Sequence, residues 1–417
     1  MIQTEGIMSL RQDADTIIKA ALNSALPDNA VSKALKQIRF QAGKTVLVAA
    51  GKAAWQMANA AYREMGDRID GGVVITKYDH SKGKIGNLQI FEAGHPVSDT
   101  NSYSATQKAL DCVSALTSKD NVLFLLSGGG SALFEKPLVS EDENQYITRQ
   151  LLKCGADIVE MNTIRKRLSA VKGGRFALAC APAHVYAIVL SDILGDPLDM
   201  IASGPAYPDS STCEKAVEIA QRYSLDLSDQ ARELLRKETP KTLDNVTTFV
   251  TGSVKQLCAS AVETAKELGY ETVFLSASLD CEARDAGSFL ASIARDHQDT
   301  PKSLAFIAGG ETVVHLTGHG MGGRNQEIAL AAAAEISTCK DTCVFSVGSD
   351  GTDGPTDAAG GYCDNETQAK LAAAGTDIKA VLADNDAYHA LQKCDGLIIT
   401  GATGTNVNDL TVLLIKR

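Results

Sequence analysis

Short runs of continuous aliphatic residues alternate with stretches of helical periodicity along most of the chain. Thr45–Ala50 (TVLVAA) reads as a buried strand and 53–65 as the helix that follows it. The runs at 72–76 (GVVIT), 88–92, Asn121–Leu126 (NVLFLL) and 185–190 (VYAIVL) read as further strands. Most are runs of continuous aliphatics rather than polar alternation, as expected of a mostly parallel sheet covered on both faces. Strands interleaved with helices in this way predict an α/β fold.

The pattern changes around 236–244 (RKETPKTLD), a polar segment that contains Pro240 and suits a linker. A chain of 417 residues is long for one core. The expected division is therefore 1–240 and 241–417. Beyond the linker, 247–251, a helix to 268 and 272–276 read as a new β-α-β unit, and strands are expected at 306–316, 342–347, 397–400 and 410–415.

Composition narrows the function. A net charge of −11 argues against a nucleic-acid or anionic-membrane binder, so an anionic ligand must be held by local groups. The ten cysteines are scattered; the nearest pair, Cys339 and Cys343, has no companion pair, so zinc and disulfide frameworks are not expected. Reduced thiols and a cytoplasmic setting fit best. The opening residues MIQTEGIMSLRQDADT lack a basic start followed by an apolar run, so no secretory signal is expected. No apolar run is long enough to span a bilayer.

The candidate chemistry lies in loops that follow predicted strands, where ligands gather in open α/β sheets. Gly51-Lys52 follows the first strand; its lysine sits at a helix start without a Walker A pattern around it. Ser127, Gly128, Gly129, Gly130 and Ser131 follow the 121–126 strand and can form a backbone nest for an anion. Asp192, in 191–197 (SDILGDP), stands at a strand end, where a carboxylate can hold Mg²⁺ or accept a hydroxyl proton. Ser203-Gly204-Pro205 follows close behind and is a candidate for the same rim. The segment 318–327 (GHGMGGRNQE) is a glycine-dense turn ending with Arg324 at the threshold of a helix, 328–336. Glycine allows close backbone approach, helix-start N–H groups favour an anion, and the guanidinium adds a planar fork of donors. The same segment fits G-x-G-x-x-G, but 312–317 reads as half of a hairpin with 304–308, which counts against a dinucleotide turn. In 348–357 (GSDGTDGPTD), Asp350, Asp353 and Asp357 sit among glycines and suit a hard cation. The basic stretch 162–175 (NTIRKRLSAVKGGR) reads in isolation as a solvated helix face, although Lys172 and Arg175 could point into a cleft. His95, just before a proline, reads as structural rather than catalytic.

Taken together, AAGKAA, EAGHPVSD, LLSGGGSAL, IRKRLSAVKGGRFA, LSDILGDP, IASGP, GGRNQE and GSDGTDGPTDAAG, in this order over nearly the whole chain, resemble the class II glycerate 2-kinases with a C-terminal MOFRL domain. The resemblance implies a Rossmann-like three-layer N-terminal domain, a smaller α/β C-terminal domain and an active site in the cleft between them. It implies ATP-dependent phosphorylation of D-glycerate at the 2-hydroxyl, giving 2-phosphoglycerate and ADP, with Mg²⁺. The family's catalytic lysine and arginine fall on Lys52 and Arg324. Asp192 is the first candidate to orient or deprotonate the attacking hydroxyl, and Asp192, Asp350 and Asp353 are the metal candidates. Ser127–Ser131, Lys172, Gly322, Gly323, Asn325 and Glu327 complete the expected binding set; whether the SGGGS turn takes the glycerate carboxylate or a nucleotide phosphate stays open. The partners expected are D-glycerate and ATP, with no nucleic acid and no membrane, and self-association into a homo-oligomer is left open.

Physical reasoning agrees, since phosphoryl transfer needs positioning and charge neutralisation more than covalent chemistry. Cleft closure would bring Lys52 and Arg324 onto one phosphoryl group and exclude water. Two other readings compete: a nicotinamide-dependent reductase of hydroxypyruvate or tartronate semialdehyde, and a non-enzymatic sensor closing on a sugar acid.

Overall fold

The computed structural model describes residues 9–190 and 198–417. They form two compact units: residues 27–251, and residues 9–26 together with 252–417.

In the first unit, six strands form one sheet in the order β3-β2-β1-β4-β5-β6: β1 Thr45–Ala50, β2 Gly71–Lys77, β3 Gln89–Ala93, β4 Asn121–Leu126, β5 His184–Leu190 and β6 Val246–Thr251. Every pairing is parallel. β1 and β4 are buried at every position, which is why both read as unbroken aliphatic runs. On one face Leu47, Ala49, Leu123, Leu125 and Ile188 pack against helices Pro27–Leu35 and Ala54–Met65. On the other, Phe124 stacks with Phe134 and Phe176, at ring separations of 5.6 and 4.8 Å. The parallel register brings the carboxyl ends of β1, β2, β3 and β4 to one edge, with Ala50 beside Ile75 and Leu126, and Lys77 beside Ala93.

The second unit holds a mixed sheet in the order β11-β10-β9-β12-β8-β7: β7 Glu271–Leu279, β8 Leu304–Gly310, β9 Thr342–Gly348, β10 Gly360–Asp364, β11 Leu397–Ile398 and β12 Asp409–Ile415. Only β7 and β8 run parallel. β12 lies between β8 and β9, antiparallel to both and wholly buried. Helix Leu10–Ser24 packs on helix Val254–Glu267, and buried Asp13 accepts from Tyr270 Oη and Lys416 Nζ, each at 2.6 Å.

Several expectations change. The strand at 247–251 does not open the second domain, because β6 pairs with β5 over six residues. The division falls between Thr251 and Gly252 rather than near 240, and the first helix belongs with the later residues. No strand extends beyond Gly310 to 316 and no hairpin forms; Val313 makes one isolated parallel bridge to Glu282.

Candidate active site

A candidate site grows from β1 and β4. Gly51 has φ 127°, and a Cβ there would stand 2.2 Å from Ser127 Oγ, so only glycine permits the turn. The backbone of Lys52 is clamped: its N–H donates to Gly128 O at 2.9 Å, its carbonyl accepts from Thr76 Oγ1 at 3.3 Å, and His80 Nδ1 lies 3.1 Å from that carbonyl. Ser127 Oγ accepts from Ala53 N at 3.1 Å. Gly129 is left-handed, φ 83°, and begins the single turn Gly130–Leu133. Lys52 is half-buried. Among the described residues its ammonium has no hydrogen-bond or ion-pair partner, and the N–H groups of Gly128, Gly129 and Ser131 have no acceptor. A cation beside unsatisfied backbone donors is a place for anionic oxygen.

The turn is braced from behind. Ser131 Oγ lies 3.1 Å from Ser203 Oγ, which donates to Asn162 Oδ1 at 2.9 Å. Arg165 Nη2 and Lys172 Nζ donate to Ser131 O at 3.1 and 2.8 Å.

Arg324 lies in the other unit and is described there by itself. Helix Arg324–Ala333 starts at the arginine itself, earlier than the hydrophobic pattern indicates, because Asp353 accepts from the N–H groups of Asn325 and Gln326 at 3.1 and 2.9 Å and extends the first turn. The Arg324 guanidinium makes a two-pronged pair with Asp409, 2.5 Å from Nε and 3.1 Å from Nη2, and its Nη1 lies 3.1 Å from Glu311 Oε1. Asn408 Nδ2 donates to Glu311 Oε2 at 2.9 Å. Burial works against the Arg324 charge, yet its bond to Asp409, with Glu311 and Asp353 behind, holds its pKa above the ordinary guanidinium value. Burial pushes the Asp409 carboxyl up, to about 6; Arg324 pulls it down and Asp353 adds to the rise. The arginine side chain remains about one-third exposed, at 34%.

The MOFRL family matches residues 304–409, and a family described as a domain of unknown function (DUF4147) matches residues 13–236. The chain is 51% identical to the D-glycerate 2-kinase of Thermotoga maritima, over 98% of this chain and 99% of that one. A glycerate 2-kinase of Pyrococcus horikoshii is 36% identical, over 98% of both chains. The crystal structure of the glycerate kinase from Thermotoga maritima superposes with a TM-score of 0.93, covering 97% of this chain and 99% of that one.

The chain belongs to the glycerate 2-kinase family with a C-terminal MOFRL domain.

Several family-motif residues expected to touch ligand are scaffold instead. Lys172 is fully buried between Ser131 O, Phe134 O and Glu135, whose Oε2 is 3.2 Å away; burial pushes its pKa down to about 8 against the pull of Glu135. The whole basic stretch 162–175 departs from the solvated-helix reading. Lys166 and Arg167 are buried on Asp209 at 3.0 and 3.5 Å, and Arg175 donates to the carbonyls of Lys166, Arg167 and Ser169. Asn325 and Glu327 are buried: Asn325 bonds Ser346 and Asp353, and Glu327 bonds Arg284 and Asn385. Gly322 and Gly323 make room, since a Cβ at Gly323 would meet Asp353 Cγ at 2.3 Å and one at Gly322 would crowd Ala387 at 3.3 Å.

The glycine turn ahead of Arg324 is likewise occupied. Thr317 and Gly318 donate their N–H groups to Asn385 Oδ1, His319 to Asp384 Oδ1, Gly320 to Asp384 O and Met321 to Asp386 Oδ1, all between 2.8 and 3.0 Å. A Cβ at Gly318 would fall 2.3 Å from Asp384 Cα. These glycines admit the 384–386 loop, not a pyrophosphate, and the dinucleotide reading loses its donors.

Of the metal candidates, Asp353 does not fit, because both its oxygens take N–H groups from the helix start. Asp350 is half-buried, and its Oδ1 accepts from Thr352 N at 3.0 Å. Asp192 lies outside the described residues. Among the described residues, the group of three side chains spaced to hold a metal is Cys213, Glu214 and Glu238, in the first unit.

Proposed function

We propose that this chain transfers the γ-phosphoryl group of ATP to the 2-hydroxyl of D-glycerate, giving 2-phosphoglycerate and ADP. The observation that carries the reading is the donor-only turn at the ends of β1 and β4, where Lys52 and three backbone N–H groups face no described acceptor. Such an arrangement stabilises oxygen charge that develops during transfer, without reorganisation. Lys52 and Arg324 are assigned to the same reaction, as in the family motif. Asp409 and Glu311 hold the guanidinium in one orientation, so its exposed edge is preset for a phosphoryl oxygen.

Mg²⁺ accompanies ATP in this reading, neutralising phosphate charge. Asp350, and Asp192 outside the described residues, are the chain's candidates to hold it. Among the described residues no helix is long and apolar enough to cross a membrane, and all ten thiols are unpaired, which supports a cytoplasmic setting.

Incubation with D-glycerate and Mg-ATP, followed by phosphorus NMR, tests the proposal. A 2-phospho product is expected; 3-phosphoglycerate, or no ADP release, refutes it. Steady oxidation of a reduced nicotinamide by hydroxypyruvate without ATP would favour the reductase instead.

A further inference from the structure

His95 follows β3 and meets the donor-only turn from the side. A Cβ at Gly129 would lie 2.9 Å from His95 Cδ2, 3.0 Å from its Nε2 and 3.2 Å from Lys52 Cγ, so imidazole, lysine stem and glycine share one small volume. Among the described residues, neither ring nitrogen of His95 has a hydrogen-bond partner. Among the described residues, the charged groups that bear on the ring are Lys52, Lys77 and His80, with no carboxylate among them. Burial first, then these cations, hold its pKa below the ordinary histidine value. The ring is therefore neutral near pH 7, with one N–H to donate. Among the described residues His95, like Lys52 beside it, keeps its side-chain hydrogen-bonding capacity next to Gly129 without a partner.

We propose that His95 is a substrate-contacting residue that hydrogen-bonds, through Nε2, an anionic oxygen seated between Lys52 and Gly129. The oxygen belongs to the glycerate carboxylate or to a nucleotide phosphate; both present the same chemistry to this pocket. The proposal rests on the kinase reading above only for the identity of the ligands. A neutral imidazole adds direction here without adding charge to an already cationic corner, which suits selection of a ligand by shape.

The test uses the full chain carrying His95→Ala or His95→Gln. Dissociation constants for D-glycerate and for ADP are measured separately by calorimetry, alongside KM and kcat. His95→Ala is expected to weaken one of the two ligands by about tenfold, the scale of one hydrogen bond to a charged group, and to leave the other within about twofold. The ligand that moves identifies the source of the oxygen. His95→Gln, which keeps an N–H donor at similar reach, should recover part of the loss. If His95→Ala does not fold, His95→Gln against wild type carries the same comparison with a smaller shift. Unchanged constants for both ligands in folded variants, or equal weakening of both, overturn the proposal. Failure of the kinase reading looks different: wild type would bind ADP in a His95-dependent manner yet leave D-glycerate unphosphorylated.

Discussion

Lys52 and Lys172 both reach the Ser127–Ser131 turn, one beside Gly129 and the other on the carbonyl of Ser131. Both lie next to a glycine and both belong to motifs of the same family. Lys52 is half-buried and its ammonium meets no described partner, whereas Lys172 is fully buried and tied to two carbonyls and Glu135. The difference separates two ways of using a cation. In the proposed reading one is left for a ligand, while the other holds the turn in place. Arg324 stands between them, paired with Asp409 and Glu311 but one-third exposed.

The comparison can be broken most easily at Arg324. Arg324→Ala should lower turnover by roughly 10³-fold, the scale of a transition-state arginine. Near-normal turnover in a folded variant would place Arg324 with the structural cations. Lys52→Ala should cost about 10²-fold in kcat, as loss of one preorganised donor does, with little change in the unfolding midpoint. A large fall in stability with intact kcat would reverse the contrast with Lys172. Lys172→Met should behave in the opposite sense, losing about 3 kcal/mol because Glu135 is left buried and unpaired. Adding Glu135→Leu should restore most of it, as read from urea unfolding; no recovery would show that the pair is not what the fold depends on.

A smaller effect sharpens the same point through pH. The folded-state pKa of Lys172, about 8, lies below its ordinary 10.5. Between those values the unfolded chain binds a proton that the folded chain has released. Stability from this group therefore rises with pH across the window, by at most about 1.4 kcal/mol per pH unit. Urea midpoints between pH 8 and 10 should show this rise in wild type and lack it in Lys172→Met. Smallest of all, Asp353→Ala removes the acceptor for Asn325 and Gln326 N–H and should cost about 1 kcal/mol, with metal dependence of activity unchanged. A shifted Mg²⁺ requirement would return Asp353 to the ligand set.

β1 and β4 are legible because burial on both faces leaves their runs apolar after the first residue, and they fall where the pattern places them. β6 is misassigned because RKETPKTLD looks like a boundary, while the ladder that binds β6 to β5 joins residues some sixty apart in sequence and leaves no local trace. The segment 312–317 reads as half of a hairpin, but Asn385 and Asp384 take the backbone donors from Thr317 onward. In the site, glycine density and the arginine are visible as such. Whether a given cation is free is not visible, because its partners Asp209, Glu135 or Asp409 are chosen by the fold. Asp409 opens an otherwise apolar strand, LTVLLI, and a carboxylate at the mouth of a buried strand is the signal that could have marked it.

The place of β12 in the second sheet has a consequence for synthesis. This strand fills the gap between β8 and β9, and it also carries the carboxylate that grips Arg324. Until residues 409–415 leave the ribosome, two neighbouring edges stay open and the guanidinium has no counterpart from this strand. A chain in which residues 409–415 have yet to be made would expose both strand edges and lack the carboxylate that orients the arginine, so the sheet closes and the guanidinium is gripped in one and the same step.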